Sequence, residues 1–290
     1  MRTTAIALAA GTAAVLGASM PARASTGEWL DDDVHDHVGL VVLVDEDGEV
    51  LGQCTGTLIG DLTVLTAGHC TDGASSARVY FQQDAAAAFD ADIGLDPTTG
   101  FPEACAPGTL GVWCVESDRL YDYGFDDFAT FPDTHDVGLV VLDAPPSAVE
   151  GRAELPAPHL LDPLGRGPER NRTVFTVSGY GAREANPHLV TGVRTRLTAS
   201  SLTTNLRSSL NDGFNFQTNG NGRGFAGSCS GDSGGPVFLG DADSDTIVAV
   251  ASFALSAWCR GTDFSYRLDR PEVLAWIRGG YLSAEPEPAR

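Results

Sequence analysis

The sequence predicts an all-β protein, on three observations. Short apolar runs rich in valine, threonine and aromatic residues recur along the chain, and Gly, Asp, Asn or Pro bounds several of them. Both features are typical of strands. Convincing helix signals occur only at the end, where Arg270-Pro271 opens and Gly279-Gly280 closes the segment 272–277. The 290 residues suffice for one or two domains with a substantial core.

The predicted strands fall into two groups along the chain. They are the runs 39–44, 56–66, 77–82, 137–142, 174–180, 236–239 and 247–254. The proline-rich stretch 146–172 between the groups is interpreted as a crossover between two halves. Residues 83–134 are long and irregular, so we expect a functional or partly structured insertion that Cys105 and Cys114 hold in place.

Residues 1–24 are predicted to be a signal peptide. Arg2 is a minimal positive region, residues 5–18 are an apolar run, and Ala22-Arg23-Ala24 has the small-x-small form that signal peptidase cuts. The alternative, a membrane anchor, needs about 20 apolar residues, and this run is shorter. No later segment is apolar for long enough to span a membrane. We therefore expect cleavage after Ala24 and a secreted, extracellular protein without a membrane partner.

The chain is strongly acidic, with a formal net charge of −21. Loss of residues 1–24 removes Arg2 and Arg23 and no acidic residue, which takes the charge to −23. A field of this sign repels phosphate backbones and anionic membranes. The composition therefore argues against a nucleic-acid partner.

Six cysteines in an exported chain predict up to three disulfides, and the sequence leaves fifteen connectivities open. Zinc is the alternative, but no C-x-x-C pair occurs. Two acidic segments, 31–37 and 241–245, also offer ligands for calcium or zinc. Solvated turns explain them better because no EF-hand spacing is completed. We therefore expect no metal and no other cofactor.

Three local motifs predict a nucleophile and its helpers. Residues 229–236 read C-S-G-D-S-G-G-P and place Ser233 on a glycine-rich turn, where backbone amides can surround an oxyanion. His69, in T-A-G-H-C after an apolar run, is the candidate base. Asp136, at the start of another apolar run, is the candidate that orients the histidine and stabilises the imidazolium.

The order of these residues excludes one fold class. Residues 231–235 also satisfy G-x-S-x-G, the nucleophile elbow of α/β-hydrolases, in which the histidine follows the serine. All six histidines of this chain precede Ser233. The elbow interpretation therefore lacks its base, in agreement with the all-β pattern.

From about residue 38 to residue 277 the chain resembles the secreted chymotrypsin-like serine proteases of bacterial type, on its T-A-x-H-C and G-D-S-G-G-P motifs. The resemblance implies two six-stranded antiparallel Greek-key β-barrels, 25–145 and 173–290, with the crossover 146–172 between them and a C-terminal helix. It also implies a monomeric endopeptidase that acts on proteins or peptides.

The same resemblance implies the roles of the site residues. Ser233 attacks the peptide carbonyl, His69 transfers the proton and Asp136 holds His69, while the amides of Gly231 and Ser233 form the oxyanion hole. Three disulfides are implied, the last by elimination: Cys54–Cys70, Cys229–Cys259 and Cys105–Cys114. The residues placed at the substrate are Gly227, Ser228, Ser230, Ser252, Phe253, Ala254 and Asp263.

Departures from the family pattern concern the pocket for the P1 residue, which precedes the cleaved bond. Gly227 stands where trypsin-like members carry an aspartate that binds a basic side chain, and Ala254 replaces a glycine at the pocket entrance. Asp263 falls on the opposite wall, where it can reach an arginine or lysine, narrow the pocket or lie in an exposed loop. We therefore expect a broad or mildly basic P1 preference.

The sequence leaves the activation route and two other functions open. Asp232 matches the aspartate that pairs with a new amino terminus in relatives, and its candidate partners are Ser25 after signal cleavage, a terminus made by another cut, or an internal cation. The alternative functions are a secreted serine esterase and a non-catalytic binding protein on the same fold. Such binding proteins usually lack a triad residue, whereas this chain has all three.

Overall fold

The computed structural model describes residues 29–85, 105, 114–164, 173–182, 184–186, 189–191, 194–208, 210–219, 227–256 and 262–280. Within these ranges the protein is nearly all β, as predicted. The elements are, in chain order, β1 Leu30–Asp31, β2 Val38–Val44, β3 Val50–Leu58, β4 Thr63–Thr66, α1 Gly68–Thr71, β5 Ser76–Tyr80, β6 Cys114–Ser117, β7 Leu120–Asp122, β8 Gly138–Val141, β9 Val174–Gly179, β10 Glu184–Asn186, β11 Leu189–Thr191, β12 Leu197–Asn205, β13 Asn215–Asn219, β14 Pro236–Leu239, β15 Ile247–Ala254, β16 Thr262–Arg267 and α2 Pro271–Gly280.

The first sheet has seven antiparallel strands in the order β6-β5-β2-β3-β4-β8-β7. Its strand β2 reads V-G-L-V-V-L-V and is buried along its whole length. Alternate side chains point to opposite faces of a strand. Val41 and Leu43 enter a cluster inside this sheet, and Leu40 and Val42 enter a cluster shared with the second sheet. Burial on both faces explains the continuous apolar run.

The second sheet also has seven antiparallel strands, in the order β1-β12-β13-β16-β15-β14-β9. Because β12 pairs with β9 as well as with β13, six of these strands form a closed ring. The seventh, β1, pairs with Leu197 and Thr198 of β12. The sequence predicted six strands for each half, so each sheet has one strand more than expected.

Most predicted strands are found close to their expected bounds, and the differences have physical causes. The single run predicted at 56–66 is divided between β3 and β4, because Gly60-Asp61 makes the turn between them. Strands β12, β13 and β16 were not predicted, since their buried residues include the polar side chains Ser201, Thr218 and Ser265. The terminal helix α2 is confirmed.

The long insertion is described only in part. Residues 114–134 of it carry β6, β7 and an aromatic turn, and the predicted disulfide joins Cys105 to Cys114. The predicted signal peptide lies outside the described residues. Among the helices of the described ranges, none has the length and apolar character needed to span a membrane.

Candidate active site

His69 lies in α1, the single helical turn that follows β4. The neighbouring Cys70 forms the predicted disulfide with Cys54 of β3, which fastens this turn to the sheet. Gly68 permits close packing here, because a Cβ at this position would lie 3.2 Å from the amide nitrogen of Val137. The His69 side chain is 27% exposed, so the imidazole is partly open to solvent.

Asp136 is fully buried and collects three hydrogen bonds. The backbone N–H of His69 donates to Oδ1 at 2.8 Å, the His69 Nδ1 lies 2.9 Å from Oδ2, and the Ser252 hydroxyl donates to Oδ2. An ionised carboxylate only accepts hydrogen bonds. The contact therefore places the proton of a neutral His69 on Nδ1 and leaves the Nε2 lone pair as a base.

The turn that carries Ser233 packs against the strand that leads to His69. A Cβ at Gly234 would overlap the Thr66 hydroxyl. Gly234 also has φ = 77°, so both the available space and the backbone conformation favour glycine at this position. The Thr55 amide donates to the Ser233 carbonyl at 2.8 Å. The hydrogen bonds of the described residues include none from the Ser233 hydroxyl to His69; catalytic hydrogen bonds often tighten only when substrate is bound.

The amides of Gly231 and Ser233 have no acceptor among the described residues. The described residues accept from the amides of Asp232, Gly234 and Gly235 but from neither Gly231 nor Ser233. Gly231 has φ = 97°, a conformation that favours glycine. These two amides are the donors that the sequence analysis assigned to an oxyanion hole.

Beside Ser233 lies a cleft of about 200 Å³. Among the residues predicted at the substrate, those that line it are Ser228, Ser230, Ser252, Phe253 and Ala254. The other two, Gly227 and Asp263, lie behind its wall. Both Ser228 and Ala251 line this cleft and also a second, smaller cavity, in which Asp263 is found.

Asp263 is 4% exposed and belongs to β16, so it is not an exposed loop residue. The Ser228 amide donates to its Oδ2 at 3.1 Å. A Cβ at Gly227 would overlap the same oxygen. Burial, with a smaller contribution from the nearby carboxylate of Asp232, raises the pKa of Asp263 to about 7, although hydrogen bonds from Ser228 act in the opposite direction.

Asp232 is the second buried carboxylate of this region, at 5% exposure. It accepts from the amides of Gly181 at 2.8 Å and Cys229 at 2.9 Å. Burial raises its pKa to about 7, while the two amide bonds lower it by a smaller amount. A Cβ at Gly179 or Gly181 would overlap its carboxylate, so these glycines make room for it.

Sequence reasoning missed an aromatic cluster at the cleft. The Phe128 and Phe131 rings lie 5.5 and 6.0 Å from the Phe253 ring, which stacks on Phe264 at 4.5 Å. The Phe125 ring lies 6.0 Å from His69. The signal was present in the three-residue spacing of Phe125, Phe128 and Phe131, inside the stretch taken as an irregular insertion.

Cys229 is disulfide-bonded, and its predicted partner Cys259 lies outside the described residues. One group of potential metal ligands occurs in the described part of the chain, namely Cys54, His69 and Cys70. It offers no thiolate, because the two cysteines are bonded to each other. The two acidic segments meet in the structure, where Asp245 Oδ1 lies 3.6 Å from the Nε2 of His37.

Solved structures with this fold align over most of the chain. HL collagenase aligns with a TM-score of 0.60 and 20% identity, over 87% of this chain and 96% of that protein. Human heparin binding protein aligns with a TM-score of 0.57 and 20% identity, over 91% of this chain and 99% of that protein. The scabies mite inactivated protease paralogue S-D1 aligns with a TM-score of 0.58 and 17% identity, over 90% of this chain and 99% of that protein. These similarities establish the trypsin-like fold of two β-sheets with a terminal helix.

The family follows from the sequence as a whole. The trypsin family model matches residues 39–94 and 122–277, more than half of the chain, and the chain belongs to this family. No curated protein matches it. Its function is therefore of the serine protease type.

Proposed function

We propose that the protein is a secreted serine endopeptidase that works through an acyl-enzyme intermediate. The observation that carries the proposal is the contact between the buried Asp136 and the Nδ1 of His69, next to the turn that bears Ser233. This contact leaves the His69 Nε2 as the base that takes the Ser233 proton, while Asp136 stabilises the resulting imidazolium. A serine hydroxyl needs such a base to attack at neutral pH.

The reaction then divides into two steps. The Ser233 oxygen attacks the peptide carbonyl, and the His69 imidazolium returns the proton to the leaving amine. Water attacks the acyl-enzyme in the second step, again with His69 as the base. The amides of Gly231 and Ser233 stabilise the oxyanion of both tetrahedral intermediates, and each such donor is typically worth about 3 to 4 kcal/mol in kcat.

The P1 preference that we propose is broad or mildly basic. Ser228, Ala251 and Ala254 line a cleft with room for side chains of moderate size. Asp263 supplies a carboxylate in the adjoining cavity, and Gly227 leaves room for that carboxylate. Phe253 and Ser252, at the end of β15, offer backbone to a substrate that binds as an added strand.

The organisation and setting complete the proposal. Residues 1–24 are the signal peptide, 25–145 the half with His69 and Asp136, 146–172 the crossover, and 173–290 the half with Ser233. The strongly acidic surface favours a soluble extracellular monomer that acts on proteins or peptides and has no nucleic-acid partner.

Non-catalytic binding is the second candidate, because the aligned structures include proteins named heparin binding protein and inactivated protease paralogue. Here His69, Asp136 and Ser233 are all present, and the first two are in hydrogen-bond contact. A serine esterase is the nearer alternative, since acyl-enzyme chemistry also hydrolyses esters.

A serine-directed phosphonofluoridate tests the proposal. We expect covalent labelling at Ser233 and hydrolysis of casein, with both labelling and hydrolysis lost in Ser233→Ala and in His69→Ala. The exposed His159→Ala is the matched control and should keep full activity. Hydrolysis of a simple ester without casein cleavage would favour the esterase, and a folded protein that neither reacts nor hydrolyses would favour the binding protein.

A further inference from the structure

Asp263 is a buried carboxylate in the cavity that adjoins the cleft beside Ser233, and few of the described groups donate hydrogen bonds to it. Its described hydrogen-bond donor is Ser228, through the amide at 3.1 Å and also through the side chain. Among the described residues no arginine or histidine forms an ion pair with it. An ionised carboxylate in such a position is costly unless a cation approaches it.

The described groups that line the cavity of Asp263 come from six strands, from the Ser233 turn, and from Trp29 and Ser228. Strands β9, β12, β13, β14, β15 and β16 contribute uncharged residues, among them Ser201, Thr218 and Ser265. The Ser233 turn contributes Asp232, the one charged group besides Asp263 among the described residues of the lining. Two carboxylates in one enclosed cavity disfavour the ionisation of each other. The surroundings therefore favour the neutral form of Asp263 until a positive charge arrives.

The P1 side chain is the group that can bring such a charge. A Cβ at Gly227 would overlap Asp263 Oδ2, so glycine leaves room for that oxygen. Ser228 and Ala251 line both the cleft beside Ser233 and the cavity of Asp263. A guanidinium or ammonium group that enters the cleft therefore lies across these two shared wall residues from the carboxyl group.

We propose that the protonation of Asp263 sets the substrate choice of the cleft: the ionised form selects arginine or lysine at P1, and the neutral form selects uncharged side chains. The inference rests on the proposed peptidase function. Binding of a P1 cation to the neutral acid releases one proton to solvent and leaves a carboxylate–cation pair. At pH values below the pKa of the free site, this release weakens the binding of a basic P1 group about tenfold for each pH unit.

The first test compares two peptides that differ only at P1, arginine against its uncharged analogue citrulline. We expect the ratio of their kcat/KM values to rise at least tenfold between pH 5.5 and pH 8.5. The ratio removes the pH dependence of the catalytic step itself, which acts on both peptides alike. In Asp263→Asn the ratio should be low and independent of pH, while the exposed control Asp243→Asn should match the unchanged protein. A constant ratio, or one that still rises in Asp263→Asn, would overturn the inference.

The second test does not depend on catalysis. Calorimetry of benzamidine, an amidinium probe, with Ser233→Ala should show binding that tightens at least tenfold from pH 5.5 to pH 7.5. At pH 6 the binding should release nearly one proton, read from the heats in two buffers. Binding that is independent of pH and releases no proton would refute the inference even if peptides are cleaved. If no peptide is cleaved but this proton release is found, the peptidase proposal fails and the assignment to Asp263 stands.

Discussion

Two buried aspartates in the same molecule occupy opposite chemical situations. Asp136 is fully buried and receives hydrogen bonds from the amide and Nδ1 of His69 and from the Ser252 hydroxyl. Asp263 is 4% exposed, receives hydrogen bonds only from Ser228 among the described residues, and shares its cavity with the carboxylate of Asp232. Burial is similar at the two sites. The two aspartates therefore differ in their hydrogen-bond donors and in the charge that lies next to them.

The surroundings of a buried aspartate therefore decide which role it can have in this fold. Three donors, one of them a histidine that becomes positive during the reaction, suit Asp136 to orient that histidine and to stabilise its positive charge. A single donating residue and a like charge suit an acid that changes its protonation state when a ligand arrives at Asp263. Substitution of either aspartate, or of a residue that contacts it, changes one of these conditions.

The largest effect is expected for Asp136→Asn. An amide can donate to Nδ1 and so favours the tautomer that has its proton on Nε2, which removes the base. The same exchange lowers kcat about 10⁴-fold in a Ser-His-Asp triad, and we expect a similar loss in peptide hydrolysis here. Asp118→Asn, at an exposed position, is the control. A loss below tenfold would show that Asp136 does not orient the base.

The second prediction concerns stability at the other aspartate. Because the folded state raises the pKa of Asp263 from 3.8 to about 7, it keeps a proton that the unfolded chain loses. The contribution of Asp263 to the free energy of unfolding therefore falls as pH rises from about 4 to about 7. Asp263→Asn has no such proton to lose. Across that pH range its free energy of unfolding should therefore rise by up to about 4 kcal/mol relative to that of the unchanged protein.

Urea unfolding at pH 4.5 and pH 7.5 measures this gain. The control is Asp243→Asn, whose exposed side chain should leave the pH dependence unchanged. Equal changes of stability in Asp263→Asn and in the unchanged protein would mean that Asp263 holds no proton in the folded protein over this pH range.

The sequence predicted these two regions with unequal success. Apolar strands such as β2 and β8 were found because both of their faces are buried, whereas His69, Asp136 and Ser233 are predicted as site residues because local motifs surround each of them. Strands β12, β13 and β16 were missed, since the cavity around Asp263 is lined with Ser and Thr that resemble loop residues in a sequence. The donor Ser252 was assigned to substrate, because its contact with Asp136 joins residues 116 positions apart.

The third prediction concerns Gly227, the glycine that packs against Asp263. In Gly227→Ala the new methyl group would overlap Asp263 Oδ2, so the carboxyl group must move or the wall must shift. Crowding of this kind typically costs 1 to 3 kcal/mol, and we expect about 3 kcal/mol less stability in urea unfolding. The kcat/KM advantage of arginine over citrulline at pH 8 should fall toward unity, while cleavage of a peptide with alanine at P1 is retained. An undiminished advantage would place the basic P1 group elsewhere.

The smallest effect is expected for Ser252→Ala, which removes one of the three donors of Asp136 and so makes its surroundings more like those of Asp263. A hydrogen bond to a charged group contributes about 1.5 to 3 kcal/mol. The two bonds from His69 remain, so we expect the lower end of this range, about tenfold in kcat. If Ser252 acts by positioning Asp136, KM stays constant and Ser252→Thr, which keeps the hydroxyl, restores kcat. If Ser252 acts on the substrate instead, KM rises and the threonine variant does not restore it, because its added methyl group narrows the cleft that Ser252 lines.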